Sequence, residues 1–372
     1  MPTQKAVGIR SIAVSFPKTI RTNDYWKERY PEMVEQAEQK NFGKLFSVRQ
    51  SQPTDEYTKA MLPYIQDPFR GGVERRILGP GESSLTLEYQ AASDALSAAE
   101  MSVEDVDLML VASLFPEDIA PGNASFLARD LGLRGAAWNI ESTCSSALVT
   151  LQSAEAMVRS GLYRNVLVVV STTYSRFADE DDTLSWFFGD GAGAVVISEL
   201  EQENQGIICS KILHTGETCG AVFNEFLPKG DKTKVCIRIQ GSKVIRESAK
   251  FIKAGCEGVL KTAGLTLNDV DFFSFNTASA WYVDFCQNLL GIDPEKTLNL
   301  HPRYSNIGAV LALANLYHGA QMGKLRENDV ALVSTWGASG TAGAMLMRWG
   351  KVALGPAPAL PLSERKVLAA VG

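Results

Sequence analysis

The chain has 372 residues, 45% hydrophobic and 21% charged, with a formal net charge of −6. That length holds two domains or one duplicated core, and the acidic balance excludes the concentrated basic surface that binding to nucleic acid or anionic membrane requires. No apolar run is long enough to span a bilayer, and the opening MPTQKAVGIRSIAV lacks the apolar core and cleavage site of a signal peptide, so a cytoplasmic protein is expected.

In chain order, apolar β-branched runs occur at 106–113 (VDLMLVAS), 165–173 (NVLVVVSTT), 192–198 (AGAVVIS), 270–277 (VDFFSFNT) and 329–337 (DVALVSTWG). Such runs suit strands buried on both faces. Helical stretches lie between them, among them 145–161 and 306–324, which makes the chain an α/β protein. AAEMSVEDVDLMLVAS from Ala98 resembles TAGLTLNDVDFFSFNT from Thr262, an offset of 164 residues that also carries the helix after Cys144 onto the one opening at RYSNIGAV. An internal duplication is expected, with one half at 1–205 and the other at 206–372. Two halves packed about a pseudo-twofold axis would bring Cys144 and Asn306 together, along with the loops SLFPEDIAPGNA and NTASAW.

The six cysteines, Cys144, Cys209, Cys219, Cys236, Cys256 and Cys286, are irregularly spaced with no CxxC pair, which fits reduced thiols. The histidines are His214, His301 and His318, and none is paired at metal-ligand spacing, so no metal is expected. Cys144 stands in WNIESTCSSAL, after a strand and at the first turn of a helix, where unpaired amides and the helix dipole favour a thiolate. A small buried cysteine at a tight turn fits this stretch alone equally well.

NIESTCSSALVTLQSAEAMVRSG, then STTYSRFADEDDTLSWFFGDGAGAVVIS, resembles the ketoacyl-acyl-carrier-protein synthase III branch of the thiolase superfamily. ERRILGPGESS and RYSNIGAV carry the likeness further, over about residues 7 to 350. The resemblance implies a duplicated, five-layered αβαβα thiolase-like fold, a homodimer, and Cys144 as the residue that accepts an acyl group from coenzyme A or an acyl carrier protein. No cofactor beyond the thioester substrate is implied. It further implies that Asn306 holds the carbonyl of a second thioester, and that the oxyanion at Cys144 is met by the backbone amides of Cys144 and Ser339.

The family's histidine is missing. Its segment, like PHQAN, reads FNTAS here, so Asn276 takes the histidine position and Ser279 that of the later asparagine. Asparagine donates a hydrogen bond but carries no proton near neutral pH, so Asn276 serves as an oxyanion donor and not as a base. His301 lies five residues before Asn306, His318 sits well inside the following helix, and His214 needs a long loop to arrive. Glu117, in the loop LFPEDIAPG, reads as a solvated carboxylate in preference to a base. Two mechanisms stay open: transfer of the acyl group from Cys144 to an oxygen or nitrogen nucleophile, or decarboxylative condensation with a malonyl-type thioester held by Asn276 and Asn306. A specialised acyl or polyketide pathway is expected, and a noncatalytic partner subunit is the competing class. Arg70 in DPFRGG is the match for an arginine at the pantetheine mouth, and Ser279 for a substrate contact. The insertion PEMVEQAEQKNFGKLFSVRQ is read as a cap over the acyl pocket, and NVLVVVS as an edge strand covered by a partner chain.

Overall fold

Strands that are apolar on both faces require helices above and below the sheet, and the chain is layered accordingly. The computed structural model describes residues 6–51, 55–220, 222–229, 232–239, 243–337 and 340–362. The first half runs β1 (Val7–Ser15), β2 (Thr19–Thr22), α1 (Asp24–Arg29), α2 (Pro31–Ser51), α3 (Glu56–Met61), β3 (Glu74–Ile77), α4 (Ser84–Ala98), β4 (Leu108–Leu114), α5 (Asn123–Leu131), β5 (Ala136–Asn139), α6 (Ser146–Arg159), β6 (Asn165–Thr173) and β7 (Asp190–Glu199). The second runs β8 (Gly206–His214), β9 (Val222–Lys229), β10 (Lys232–Ile239), α7 (Lys243–Ala263), β11 (Phe272–Phe275), α8 (Ala280–Leu290), α9 (His301–Tyr304), α10 (Val310–Gln321), β12 (Val330–Gly337), β13 (Thr341–Arg348) and β14 (Ala353–Leu354).

One sheet has the order β14-β1-β7-β6-β4-β5 and the other β11-β12-β13-β8. The second repeats the first from β1 to β4: β12 runs parallel to β11 and antiparallel to β13, as β6 does to β4 and β7. β4 and β11 start 164 residues apart, as do α6 and α10. Where β5 flanks β4, the second half keeps a single parallel bridge, Phe273 to Thr297. Helices α4 and α5 pack Leu87, Ala91 and Leu127 on the outer face of the first sheet. Helices α7 and α8 pack Ile252, Val259 and Phe285 on the outer face of the second. Between the sheets, α6 and α10 share one core with both, and every residue from Val310 to Gly319 is buried. This is the five-layered αβαβα thiolase-like fold.

The strand NVLVVVS is not at an edge. It is β6, hydrogen-bonded to β4 on one side and β7 on the other, and that double pairing accounts for its apolarity. One edge is β5, where Ala137 and Trp138 are half-buried and Ala136 and Asn139 exposed. The inserted stretch after Tyr30 is helix α2, and α1 and α2 seat Trp26 and Val34 on Phe69 and Trp186. Among the described residues no helix is long and apolar enough to cross a membrane, and no cluster of His, Cys, Asp and Glu suits a metal.

One buried carboxyl marks the junction of α4, β4 and β6. Glu88 is fully buried and accepts hydrogen bonds from Ser113 Oγ (2.5 Å), Ser171 Oγ and Asn123 Nδ2 (2.8 and 2.9 Å). Desolvation outweighs these bonds and pushes its pKa up to about 7 from 4.5. The folded state therefore holds this proton more tightly than the unfolded chain does. The associated stability is complete below the unfolded value and disappears as pH rises through 7, an effect of roughly 3 kcal/mol at most. Thermal unfolding of wild type and Glu88→Gln between pH 5 and pH 8 should show the wild type losing stability relative to the variant steadily up to about pH 7, with the difference levelling off above it.

Candidate active site

Cys144 lies in a single 3-10 turn, Thr143–Ser145, joined directly to α6. Thr143 has φ +49, a left-handed conformation that a β-branched residue adopts only when its surroundings impose it. Those surroundings come from the second half: Ser145 Oγ donates to Thr341 O (2.9 Å) and accepts from Thr335 Oγ1 (3.1 Å). The backbone of Gly337 presses on the turn so closely that a Cβ there would overlap Thr143 Oγ1 and come within 3.1 Å of Ser142 O. On the near side, Thr143 N–H donates to Glu141 Oε1 (2.5 Å) and Ser142 N–H to Ser146 Oγ (2.8 Å). Among the described residues the Cys144 amide has no such partner, and it approaches its own sulfur.

Among the described residues the sulfur has one side-chain hydrogen-bond partner, the Tyr174 hydroxyl at 3.7 Å. Burial pushes the Cys144 thiol above its ordinary value, the Tyr174 bond and the local amide pull it back, and the Glu141 carboxylate pushes it up again. The net shift is upward, so the resting residue is a thiol. The helix start favours a thiolate, and desolvation at this turn works against it.

Asn306 reaches the same place from the other half. Its backbone is held like a strand residue, N–H donating to Phe187 O (2.8 Å) and O accepting from Gly189 N–H (3.0 Å). This explains the FGDGAGA segment: Phe188 and Gly189 dock Asn306, while Asp190 accepts from Leu78 N–H (2.8 Å), Ser175 N–H (2.9 Å) and Ser175 Oγ. Burial raises the Asp190 carboxyl to about 6 despite these bonds. The Asn306 Oδ1 accepts from Gly308 N–H (2.8 Å), and Nδ2 is left without a partner among the described residues. Gly308, at φ +55, stands where a Cβ would lie 2.7 Å from Thr172 Oγ1 and 3.2 Å from Tyr174 Oη. The turn after Asn306 therefore lies against the tyrosine that touches Cys144.

Asn276 follows β11 and is buried. Its Nδ2 donates to Trp336 O (2.9 Å) and its Oδ1 accepts from Trp336 N–H (2.9 Å). The amide thus extends the pairing of β11 with β12 by one side chain, with a single N–H left over. Because Trp336 precedes Gly337, the same two residues hold Asn276 and press on the Cys144 turn.

Other expected residues are distributed differently. Arg70 does not face a channel mouth: its guanidinium turns inward to Tyr64 O (3.0 Å), Ile65 O and Asn41 Oδ1 (2.5 Å), bracing the inserted helices, with burial lowering its pKa. Ser279 is half-buried at the start of α8 with no capping hydrogen bond from its side chain. Ser339 lies outside the described residues. Glu117 is no solvated carboxylate but is paired with Arg176 (2.9 Å) and accepts from Ser84 N–H and Oγ (2.9 Å each). His318 joins Tyr304 Oη (3.0 Å) and Gln321 Oε1 (3.0 Å) within the core, while His214 is exposed at the end of β8. His301 is fully buried, and burial and the Arg75 charge push it down to about 3 although the Thr277 backbone pulls the other way. Among the described residues no imidazole is hydrogen-bonded to Cys144. The residue that sequence reasoning passed over is Tyr174, although it follows β6, a strand parallel to β4, and sheets of this kind gather chemistry at the carboxyl ends of parallel strands.

Residues 138–216 match the 3-oxoacyl-[acyl-carrier-protein (ACP)] synthase III family, and residues 260–349 match its C-terminal counterpart. The β-ketoacyl-[acyl-carrier-protein] synthase III of Brucella suis is 30% identical over 282 residues, covering 74% of this chain and 87% of that one. The chain belongs to the synthase III family. Of solved structures, the synthase III of Pseudomonas aeruginosa PAO1 superposes with a TM-score of 0.77 at 21% identity, over 93% of this chain and 99% of that one. A histidine-to-asparagine variant of OleA from Xanthomonas campestris superposes with a TM-score of 0.75 at 17% identity, over 93% and 99% of the two chains. This synthase III-family member is accordingly a transferase or condensing enzyme on a thiolase fold.

Replacing Gly337 by Ala forces the new methyl into the Cys144 turn. The expected result is a loss of about 1–3 kcal/mol in thermal or denaturant unfolding, together with slower alkylation of Cys144 by iodoacetamide. Adding Thr143→Gly, which removes the oxygen the methyl meets and relieves the positive φ, should recover part of both.

Proposed function

We propose that Cys144 takes an acyl group from a coenzyme A or acyl-carrier-protein thioester and passes it to an oxygen or nitrogen nucleophile, in a specialised acyl or polyketide pathway. The observation that carries this reading is the closure of the Asn276 amide on the Trp336 backbone. Among the described residues Asn306 Nδ2 is then a side-chain donor without a partner, and the side chain hydrogen-bonded to Cys144 is a tyrosine in place of an imidazole. Acyl transfer to a nucleophile that arrives reactive asks for less than proton removal from carbon does. The Cys144 amide, and that of Ser339, would meet the oxyanion of the tetrahedral intermediate.

Decarboxylative condensation is the second reading. It generates its carbanion without a base, and the remaining N–H of Asn276 beside Nδ2 of Asn306 supports it. Family membership supports it too, since the relatives' name is that of a ketoacyl synthase. A cytoplasmic homodimer formed over the β5 edge belongs to the same proposal.

Incubation with acyl-coenzyme A and acyl-carrier-protein thioesters should add the acyl mass to the wild type and leave Cys144→Ser unmodified under thioester-cleaving conditions. Absence of an adduct on the wild type would instead assign the chain to a noncatalytic partner subunit. Carbon dioxide release from malonyl thioester separates the two mechanisms: none is expected for ester or amide formation, and stoichiometric release favours condensation. Asn276→His should raise decarboxylation, and an unchanged rate would remove Asn276 from the reacting carbonyl.

A further inference from the structure

The loading of Cys144 proposed above leaves a proton unassigned. The resting sulfur is a thiol, the incoming thioester releases a thiolate, and the histidine that would mediate between them is an asparagine whose amide is bound to Trp336. Among the described residues the side-chain group hydrogen-bonded to the sulfur is the Tyr174 hydroxyl, 3.7 Å away. The ring of Tyr174 is fixed by stacking on Phe188, with centroids 4.3 Å apart and planes 17° from parallel, and by Phe115 at 5.4 Å. Ile237 of β10 closes the cluster, so the surroundings of the ring are apolar. On the hydroxyl side stands Gly308, two residues beyond Asn306.

We propose that Tyr174 is a catalytic residue of this chain, a two-proton relay between the Cys144 thiol and the sulfur that leaves the incoming thioester. As Cys144 Sγ bonds to the acyl carbon, its proton passes to Tyr174 Oη, and the proton Oη already carries passes to the departing sulfur as the carbon–sulfur bond of the donor breaks. The donor leaves as a thiol, Cys144 becomes a thioester, and tyrosine is unchanged. Both sulfurs are bound to one carbon at the point of transfer, about 3 Å apart, so a hydroxyl in contact with one is within reach of the other.

The titratable neighbours support this assignment. Burial and the adjacent Cys144 hold the Tyr174 hydroxyl well above its ordinary value, which leaves it protonated and unable to act as a simple base. Tyr282 also senses Cys144, but its hydroxyl is engaged with Ser248 Oγ at 3.3 Å. Glu141 is exposed and its side chain holds the Thr143 amide, and Asp190 is engaged by Ser175 and Leu78. A relay through a neutral hydroxyl needs no group that titrates near pH 7, in keeping with the loss of the imidazole.

The test measures acylation of Cys144 by acetyl-coenzyme A and by the acetyl thioester of N-acetylcysteamine, followed by intact mass. Tyr174→Phe should slow both about 100-fold, while alkylation by iodoacetamide at high pH, which needs no proton delivered to a leaving sulfur, should be unaffected. An adduct that forms on Tyr174→Phe at the wild-type rate overturns the relay alone. An adduct absent even from the wild type overturns both the loading reaction and the relay. Should Tyr174→Phe fold poorly by thermal unfolding, the wild-type acylation rate in mixtures of light and heavy water decides: a bowed dependence on deuterium content marks two protons in flight, and a straight line overturns the relay.

Discussion

The architecture depends on the burial of two helices, α6 and α10, back to back between two sheets. A helix with ten consecutive buried residues, as α10 has from Val310 to Gly319, has no face left for solvent and is stable only where sheet covers it on one side and another helix on the other. This packing makes the halves inseparable and sets their relative position. Since Cys144 stands just before α6 and Asn306 just before α10, the same burial that stabilises the core brings the thiol and the amide to one spot.

Chemistry at that spot is dominated by desolvation. Cys144, Tyr174 and Tyr282 are all shifted toward their neutral forms, and His301 is held neutral by burial and by Arg75. A site of neutral groups suits reactions in which charge develops late and is met by fixed dipoles, because in a medium of low polarity such dipoles act strongly and need no reorganisation. The left-handed turn at Thr143, held by Gly337 and Thr341, fixes the sulfur before substrate arrives.

Much of this was legible in the sequence, where the information is local or repeated. The 164-residue offset placed α6 on α10 and β4 on β11, because equivalent halves conserve spacing when they conserve fold. The position of Cys144 between strand and helix was legible for the same local reason. Its charge state was not, since burial is contributed by residues distant in the chain. The sequence offered Asn276 as a site residue, but its attachment to Trp336, 60 residues away, follows from the pairing of β11 with β12. The strand Asn165–Thr173 was misplaced because strand order in this sheet is not chain order, and Arg70 because its partners are the backbone of Tyr64 and Ile65 and the side chain of Asn41 in the inserted helix.

The end of the described chain carries a further consequence. β14 leaves the second half and lies parallel on β1, Gly355 N–H donates to Ile12 O (2.8 Å), Tyr317 Oη donates to Gly355 O (2.9 Å), and Leu362 N–H donates to Glu74 Oε2 (2.9 Å). The strap returns to the sheet in which the chain began. Each half is thereby completed by chain that belongs to the other.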